Sequence, residues 1–277
     1  MLVLTHYVFG IIITFLSIYG YGNFFLRNKD YFITFLIGYI FIGSLSLLLH
    51  FFFPINIYIS SIIIFTGLIL FLLLKKSDNL IYYTIIIILF SLILVGKSEH
   101  PIDSNLYHHS YISYLQIEKI ILGISNLHSR FGHISFLQFA QALYSNDFFN
   151  VYSLSNINIL FYALFFIFLY RINFIEKKNN LTLILSILIS SFLLIKLARY
   201  REYGNDLIPF IVASYFLIKI VDNFFNPKTK QDLLFFFPIF IYFMLTHKIT
   251  YLFSSLIFLG LVNKETLFSY LNKKKNI

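Results

Sequence analysis

The chain has 277 residues, 59% of them hydrophobic and only 12% charged, with a mean hydropathy of +0.82. Soluble domains hold roughly 45–50% apolar and about 25% charged residues, so the composition excludes a soluble globular protein. There is no cysteine, which excludes disulfides, thiolate metal sites and cysteine nucleophiles.

Crossing a hydrocarbon core of ~30 Å takes about 20 helical residues. Apolar runs of that kind fall at 3–26, 31–53, 55–74, 80–96, 151–170, 181–196, 207–221, 233–246 and 249–262. They predict an all-α polytopic membrane bundle of about nine transmembrane helices in a single domain, residues 1–277. The runs do not alternate, so they do not read as the ~10-residue strands of a barrel. The first run lacks a basic leader and a small-residue cleavage site, and is expected to stay in the mature protein. A weaker segment at 132–149 carries Gln138, Gln141, Asn146 and Asp147 and reads as a re-entrant or interfacial helix.

The cations set the orientation. Numbering the spans as above, one set of ends carries 13 Lys and Arg, from Arg27 and Lys29 to Lys273, Lys274 and Lys275, and the other set carries seven. Each side holds six acids, and Lys219 lies inside a span. The positive-inside rule places the richer side in the cytoplasm, with the N-terminus outside and the C-terminus inside. The net charge of +9 is therefore mostly topological and does not point to nucleic acid.

The outer side holds one long segment, residues 97–150, with His100, His108, His109, His128 and His133 in its first part. After Pro101, Asp103-Ser104 reads as a helix start. At roughly 100° per residue, Asn105, His108, His109, Ser113, Gln116 and Lys119 then share a polar face. Tyr107, Tyr111, Tyr114, Leu115, Ile121 and Leu122 share the other, so the helix is expected to lie on the membrane surface and to end near Gly123. A second polar group, Lys196, Arg199, Arg201, Glu202 and Asp206, lies in the turn between the sixth and seventh spans. His247 and Lys248 occupy the last outer turn. Arginine and lysine there suit a phosphate or pyrophosphate. Each residue also has an ordinary role open to it: Asp103 as an N-cap, Arg130 as a snorkelling side chain, the tyrosines as an aromatic belt. A divalent metal is only weakly signalled, because His108 and His109 diverge and no His-x3-His pair exists.

Asp103-x3-Tyr107-His108, followed by Asn126-Leu127-His128-x-Arg130-x-Gly132, resembles a family of largely uncharacterised bacterial polytopic membrane proteins. That family's outer loop reads D-x3-Y-H and then N-L-H-G-R-x-G. Ser129 departs from its usual Gly, and His133 stands where Phe is common. Asp206-Leu207-x-Pro209 and Lys248 are similar to its later markers. The family in turn resembles the GT-C superfamily of membrane glycosyltransferases, which use polyprenyl-phosphate sugars.

The resemblance implies sugar transfer at the outer face of the bacterial cytoplasmic membrane, as part of cell-envelope synthesis. Asp103 is the implied base, with His108 beside it in the catalytic set, and His128 orients the acceptor or the phosphate. Tyr107 and Asn126 are the remaining loop residues implied to contact substrate. Arg130, Arg201 and Lys248 would hold the lipid phosphate, with Asp206 positioning them or a metal. Three other readings stay open: a lipid-linked glycan polymerase or ligase, for which Asp103 would be dispensable, a non-enzymatic lipid-sugar transporter, and a degenerate or purely structural membrane protein.

Overall fold

The computed structural model describes residues 2–26, 30–74, 80–95, 108–126, 129–132, 135–145, 156–176, 179–195, 206–225 and 230–261, and every regular element among them is helical. Four helices open the chain: α1 (Leu2–Phe25), α2 (Tyr31–His50), α3 (Ile57–Leu73) and α4 (Leu80–Val95). Two short helices follow, α5 (His109–Ile117) and α6 (Phe136–Tyr144). The rest are α7 (Asn156–Tyr170), α8 (Asn180–Ile195), α9 (Leu207–Phe225), α10 (Lys230–His247) and a 3₁₀ helix (Ile249–Leu261).

Where the caps are described, local chemistry sets the starts. Asp30 accepts hydrogen bonds from the amides of Phe32 and Ile33, and Asn56 from those of Tyr58 and Ile59. Both satisfy amides that a helix start leaves without partners.

Among the described residues, four helices are long and apolar enough to cross a membrane: Val8–Phe25, Tyr31–His50, Asn156–Ile175 and Leu207–Phe224. Ile57–Leu73, Asn180–Ile195, Leu233–His247 and Ile249–Leu259 are apolar but shorter, and sixteen residues rise only about 24 Å. Their side chains nevertheless face as lipid-facing helices do. On α3, Tyr58, Ile62, Phe65, Ile69 and Leu72 form an exposed apolar stripe, while Ser60, Ile63, Gly67 and Phe71 face inward. On α8, Thr182 and Ser186 point inward, and Leu181, Ile184, Leu188 and Ile195 point outward. Polar and small residues inside with bulky apolar residues outside reverse the pattern of a helix on a soluble protein, and fit a helix with lipid on its outer side.

The bundle is built closely around α1. Gly22 on α1 meets the Thr34 carbonyl on α2, and Gly38 on α2 meets the Ile18 carbonyl on α1, so closely that neither position has room for a Cβ. Small residues at a crossing let two backbones approach, and packing rather than water exclusion then holds helices together in lipid. Tyr21 adds a hydroxyl bond of 2.8 Å to the Ile63 carbonyl of α3.

α7 is the central helix. It is buried on nearly every face and touches α1, α2, α4, α6, α8 and α9. Its last turn widens into a π-helix, Arg171–Ile175, where Arg171 pairs with Glu176 at 2.8 Å.

Beside this turn, Asp30 joins α2 to α9. Its carboxylate accepts from the Tyr215 hydroxyl at 2.7 Å and pairs with Lys219 at 3.1 Å, and the Lys219 ammonium sits over the rings of Phe168 and Tyr215. Burial alone would raise the Asp30 carboxyl. Lys219 and the Tyr215 hydroxyl, with a smaller contribution from Arg171, outweigh it and hold the group below its usual range.

The surface helix expected from Asp103 to Gly123 is reduced, among the described residues, to α5. It stops at Ile117, where Glu118 turns extended. Gly123 instead takes a positive φ of 85° in the turn that follows. Tyr111, Ile112 and Leu115 are buried, so the tyrosine face packs on protein. Tyr111 stacks on Phe131, and burial, reinforced by Tyr114, pushes its hydroxyl up to about 12.

The segment expected to be re-entrant or interfacial forms α6. All nine of its residues are buried, Gln138 and Gln141 included, because α2, α3, α5, α7 and α10 surround it.

Candidate functional site

The helices alternate in direction, so one end of the bundle collects His50, α5, α6, the start of α7, the start of α9 and the end of α10. At this end α5 is fastened to the α2–α3 turn. The Leu115 carbonyl accepts from the Ile55 amide at 2.8 Å, the His50 carbonyl from the Ile120 amide at 3.1 Å, and His50 Nε2 bonds the Glu118 carbonyl at 2.9 Å. Gln116, predicted on an aqueous face, docks α5 on α6 by donating to the Ala142 carbonyl at 2.9 Å and to Ser145 Oγ at 3.3 Å.

His247 is the hub. It is 2% exposed, and its ring joins three helices. Nε2 lies 3.2 Å from the Tyr39 hydroxyl of α2, and Nδ1 lies 3.5 Å from Oγ of Ser135, which caps α6. Ser135 Oγ also accepts the Leu137 amide at 3.3 Å. A neutral imidazole donates from one nitrogen and accepts at the other. The chain Ser135–His247–Tyr39 can therefore hold its protons in either direction.

One residue on, Lys248 forms an ion pair with Asp206, tying the end of α10 to the start of α9. Their side chains are 39% and 50% exposed, and a pair that open contributes little to stability. Among the described residues, Gln138 Oε1 and both polar side-chain atoms of Asn156 are buried with no hydrogen-bond partner.

Of the residues singled out in the sequence, the structure brings Asp206 and Lys248 into contact. His108 is not on a water-facing surface: it is buried at the start of α5, because the chain there packs inward. Asn126 is exposed in a 3₁₀ turn, Ile124–Asn126, its amide bonded to the Gly123 carbonyl at 2.9 Å. The backbone of Arg130 lies in the next 3₁₀ turn, Ser129–Gly132. Asp103, Tyr107, His128 and Arg201 lie outside the described residues. Among the described residues no group of three or more His, Cys, Asp or Glu side chains is placed to hold a metal.

Tyr39 carries no sequence signal within its apolar run. Ser135 does: Ser135-x-x-Gln138 has the spelling of a capping box, although the structure makes only the serine half. Ser135→Ala should cost about 1 kcal/mol through the lost cap, read as a lower melting temperature of the purified chain. Tyr39→Phe leaves the cap intact but strands the buried His247 Nε2, and should cost about 1–3 kcal/mol.

Spanning apolar helices, inside-out side-chain patterning and a polar, histidine-bearing end define an α-helical integral membrane protein. The chain belongs to the family described as a domain of unknown function, DUF8201, whose model matches residues 1–275. No curated protein and no solved structure matches it.

Proposed function

We propose that the protein is a membrane transferase that moves a sugar from a polyprenyl-phosphate donor to an acceptor at the outer face of a bacterial cytoplasmic membrane. In this reading nine helical segments cross the bilayer, with α3, α4, α8, α10 and the 3₁₀ helix as the thin-walled members. The N-terminus is outside and the His247 end faces outward. The observation that carries the proposal is the clustering of Lys248, Asp206, His247, Ser135 and Tyr39 at the end where the Asp103-bearing loop begins and ends.

Lys248 is held by an exposed carboxylate that a phosphate can partly displace, which suits a cation meant to meet an anionic ligand. Asp103 takes the proton of the acceptor hydroxyl, and the freed oxygen attacks the anomeric carbon. The bond from that carbon to the phosphate oxygen breaks, and Lys248, Arg130 and Arg201 hold the negative charge that remains on the lipid phosphate. His108 and His128 orient the reactants, and Tyr107 and Asn126 contact them.

The test is sugar transfer from polyprenyl-phosphate donors in membranes containing the full chain. Asp103→Asn should lower the rate by about 10²–10⁴, the usual share of a general base. Lys248→Met should lower it by about 10²–10³, as expected for a lost charge-stabilising contact. Retained transfer in Asp103→Asn with loss in Lys248→Met would point instead to a glycan polymerase or ligase. No transfer from any donor would overturn the assignment.

A further inference from the structure

α2 takes part in two polar clusters. Asp30 at its start belongs to the group with Tyr215 and Lys219, and Tyr39 belongs to the chain with His247 and Ser135. From Asp30 to Tyr39 the helix rises about 13 Å. Nothing polar on the page bridges that distance, but a run of aromatic rings does.

The Tyr215 hydroxyl is held by Asp30, and its ring stacks on Phe32 with centroids 4.4 Å and planes 17° apart. Phe32 meets Phe161 of α7 edge-on at 6.0 Å and 74°. Phe161 in turn meets Tyr39 edge-on at 5.1 Å and 88°. The Tyr39 hydroxyl then lies 3.2 Å from His247 Nε2. Tyr215, Phe32, Phe161, Tyr39 and His247 are each no more than 2% exposed. A close-packed interior gives such rings little room to move singly.

Both ends of the run have a reason to move. Tyr215 is gripped at its hydroxyl by Asp30 and on its face by the Lys219 ammonium, 5.6 Å from the ring centroid. A change in the ion pair therefore shifts the Tyr215 ring, and Phe32 and Phe161 must follow. At the other end His247 has two arrangements. Either Nε2 accepts from the Tyr39 hydroxyl while Nδ1 donates to Ser135, or Nε2 donates to Tyr39 while Nδ1 accepts. The position of the Tyr39 ring biases that choice.

We infer that the state of the Asp30–Lys219 pair is coupled, through Phe161, to the proton arrangement of His247 at the opposite end of the bundle. Whatever separates Lys219 from Asp30 is then felt next to Lys248, the residue that follows His247. The coupling does not depend on what the His247 end binds or transfers, and its test uses neither substrate nor turnover.

The experiment is a double-mutant cycle on unfolding of the full chain in mixed micelles, with Asp30→Asn and Tyr39→Phe as its two arms. Sites more than about 10 Å apart with no shared partner normally combine to within about a factor of two in the unfolding constant. Here the double variant should depart from the product of the single effects by about fivefold or more. Phe161→Leu, or Phe161→Met if that variant fails to fold, should return the cycle to additivity. Phe165→Leu is the matched change on α7: its ring contacts are Phe32 at 6.0 Å and Phe168 at 5.8 Å, and it should leave the departure in place. A second readout is the pair of ring-nitrogen resonances of His247 in the histidine-labelled chain, assigned by their loss in His247→Gln. They should shift on Asp30→Asn in the unaltered protein and in Phe165→Leu, and stay in place in the Phe161 variant. An additive cycle overturns the inference, and so do His247 resonances that ignore Asp30→Asn. Coupling that survives loss of the Phe161 ring overturns it as well, because α2 itself would then carry the effect.

Discussion

Gly38→Leu is expected to destabilise the protein by about 3 kcal/mol or more, at the severe end for overpacking. The reason is geometric. A Cβ at Gly38 would land on the Ile18 carbonyl, with the Gly22 amide just beyond, and both are backbone atoms that cannot rotate away. The α1–α2 crossing can admit a side chain only by moving the helices apart, and α1 also carries α3 and α7. In lipid no hydrophobic gain compensates for the lost contact, since separated helices meet hydrocarbon of the same polarity. Unfolding in mixed micelles, read by circular dichroism, should show an earlier midpoint for Gly38→Leu. Ile69→Leu, on the lipid-facing stripe of α3, should shift by no more than ~0.5 kcal/mol. Equal midpoints for the two variants would refute a tight crossing.

Lys219→Met is the second large effect, expected to cost about 2–3 kcal/mol. The substitution leaves the Asp30 carboxylate partly buried and without its cation, which is worse than removing both charges. Asp30→Asn should cost less, because asparagine caps α2 about as well as aspartate and still accepts from Tyr215. The double variant Asp30→Asn/Lys219→Met should accordingly be more stable than Lys219→Met alone.

The same group gives a pH dependence of definite sign. The Asp30 carboxyl is held below its ordinary range in the folded chain, so it contributes stability fully above its unfolded pKa. That contribution disappears as the pH falls through the depressed folded value. Acidification below the ordinary carboxylate range should therefore lower the melting temperature of the unaltered protein more than that of Asp30→Asn. The other charged and titratable groups near Asp30 are Lys219, Tyr215, Arg171 and Glu176. The comparison is with Asp30→Asn, which removes this carboxyl alone. Parallel acid profiles would show that Asp30 carries no such share.

How much of this was legible in the residues follows from distance along the chain. Long apolar runs reveal helices because a helix reads its own local sequence, and α1, α2, α7 and α9 stand where their runs fall. Pairings are another matter. Lys219 was visible as a charge within a span and Asp30 as an acid near a span end, but nothing local joins residues so far apart. Tyr39 and His247 are separated by 208 positions, and Tyr39 looks like any aromatic in an apolar stretch. Asp206 and Lys248 were visible as charges in two outer turns, but their spacing does not show that they meet. α5 misled because Gln116 was read as a mark of water, and the fold uses it to dock α5 on α6. The short helix expected within 132–149 is α6, which protein encloses. Periodicity reports which residues share a face, not whether protein or water covers it.

The complete enclosure of α6 has a bearing on how the protein is made. Nine residues are too few to be released into a bilayer as an independent span, so α6 is expected to wait at the surface while its walls are built. Three of those walls, α2, α3 and α5, leave the ribosome before it, but α7 and α10 leave after it. The serine that begins α6 meets the histidine that ends α10 only after α7, α8, α9 and α10 have followed it. A chain stalled before α10 would therefore carry α6 with its capping serine still waiting for His247.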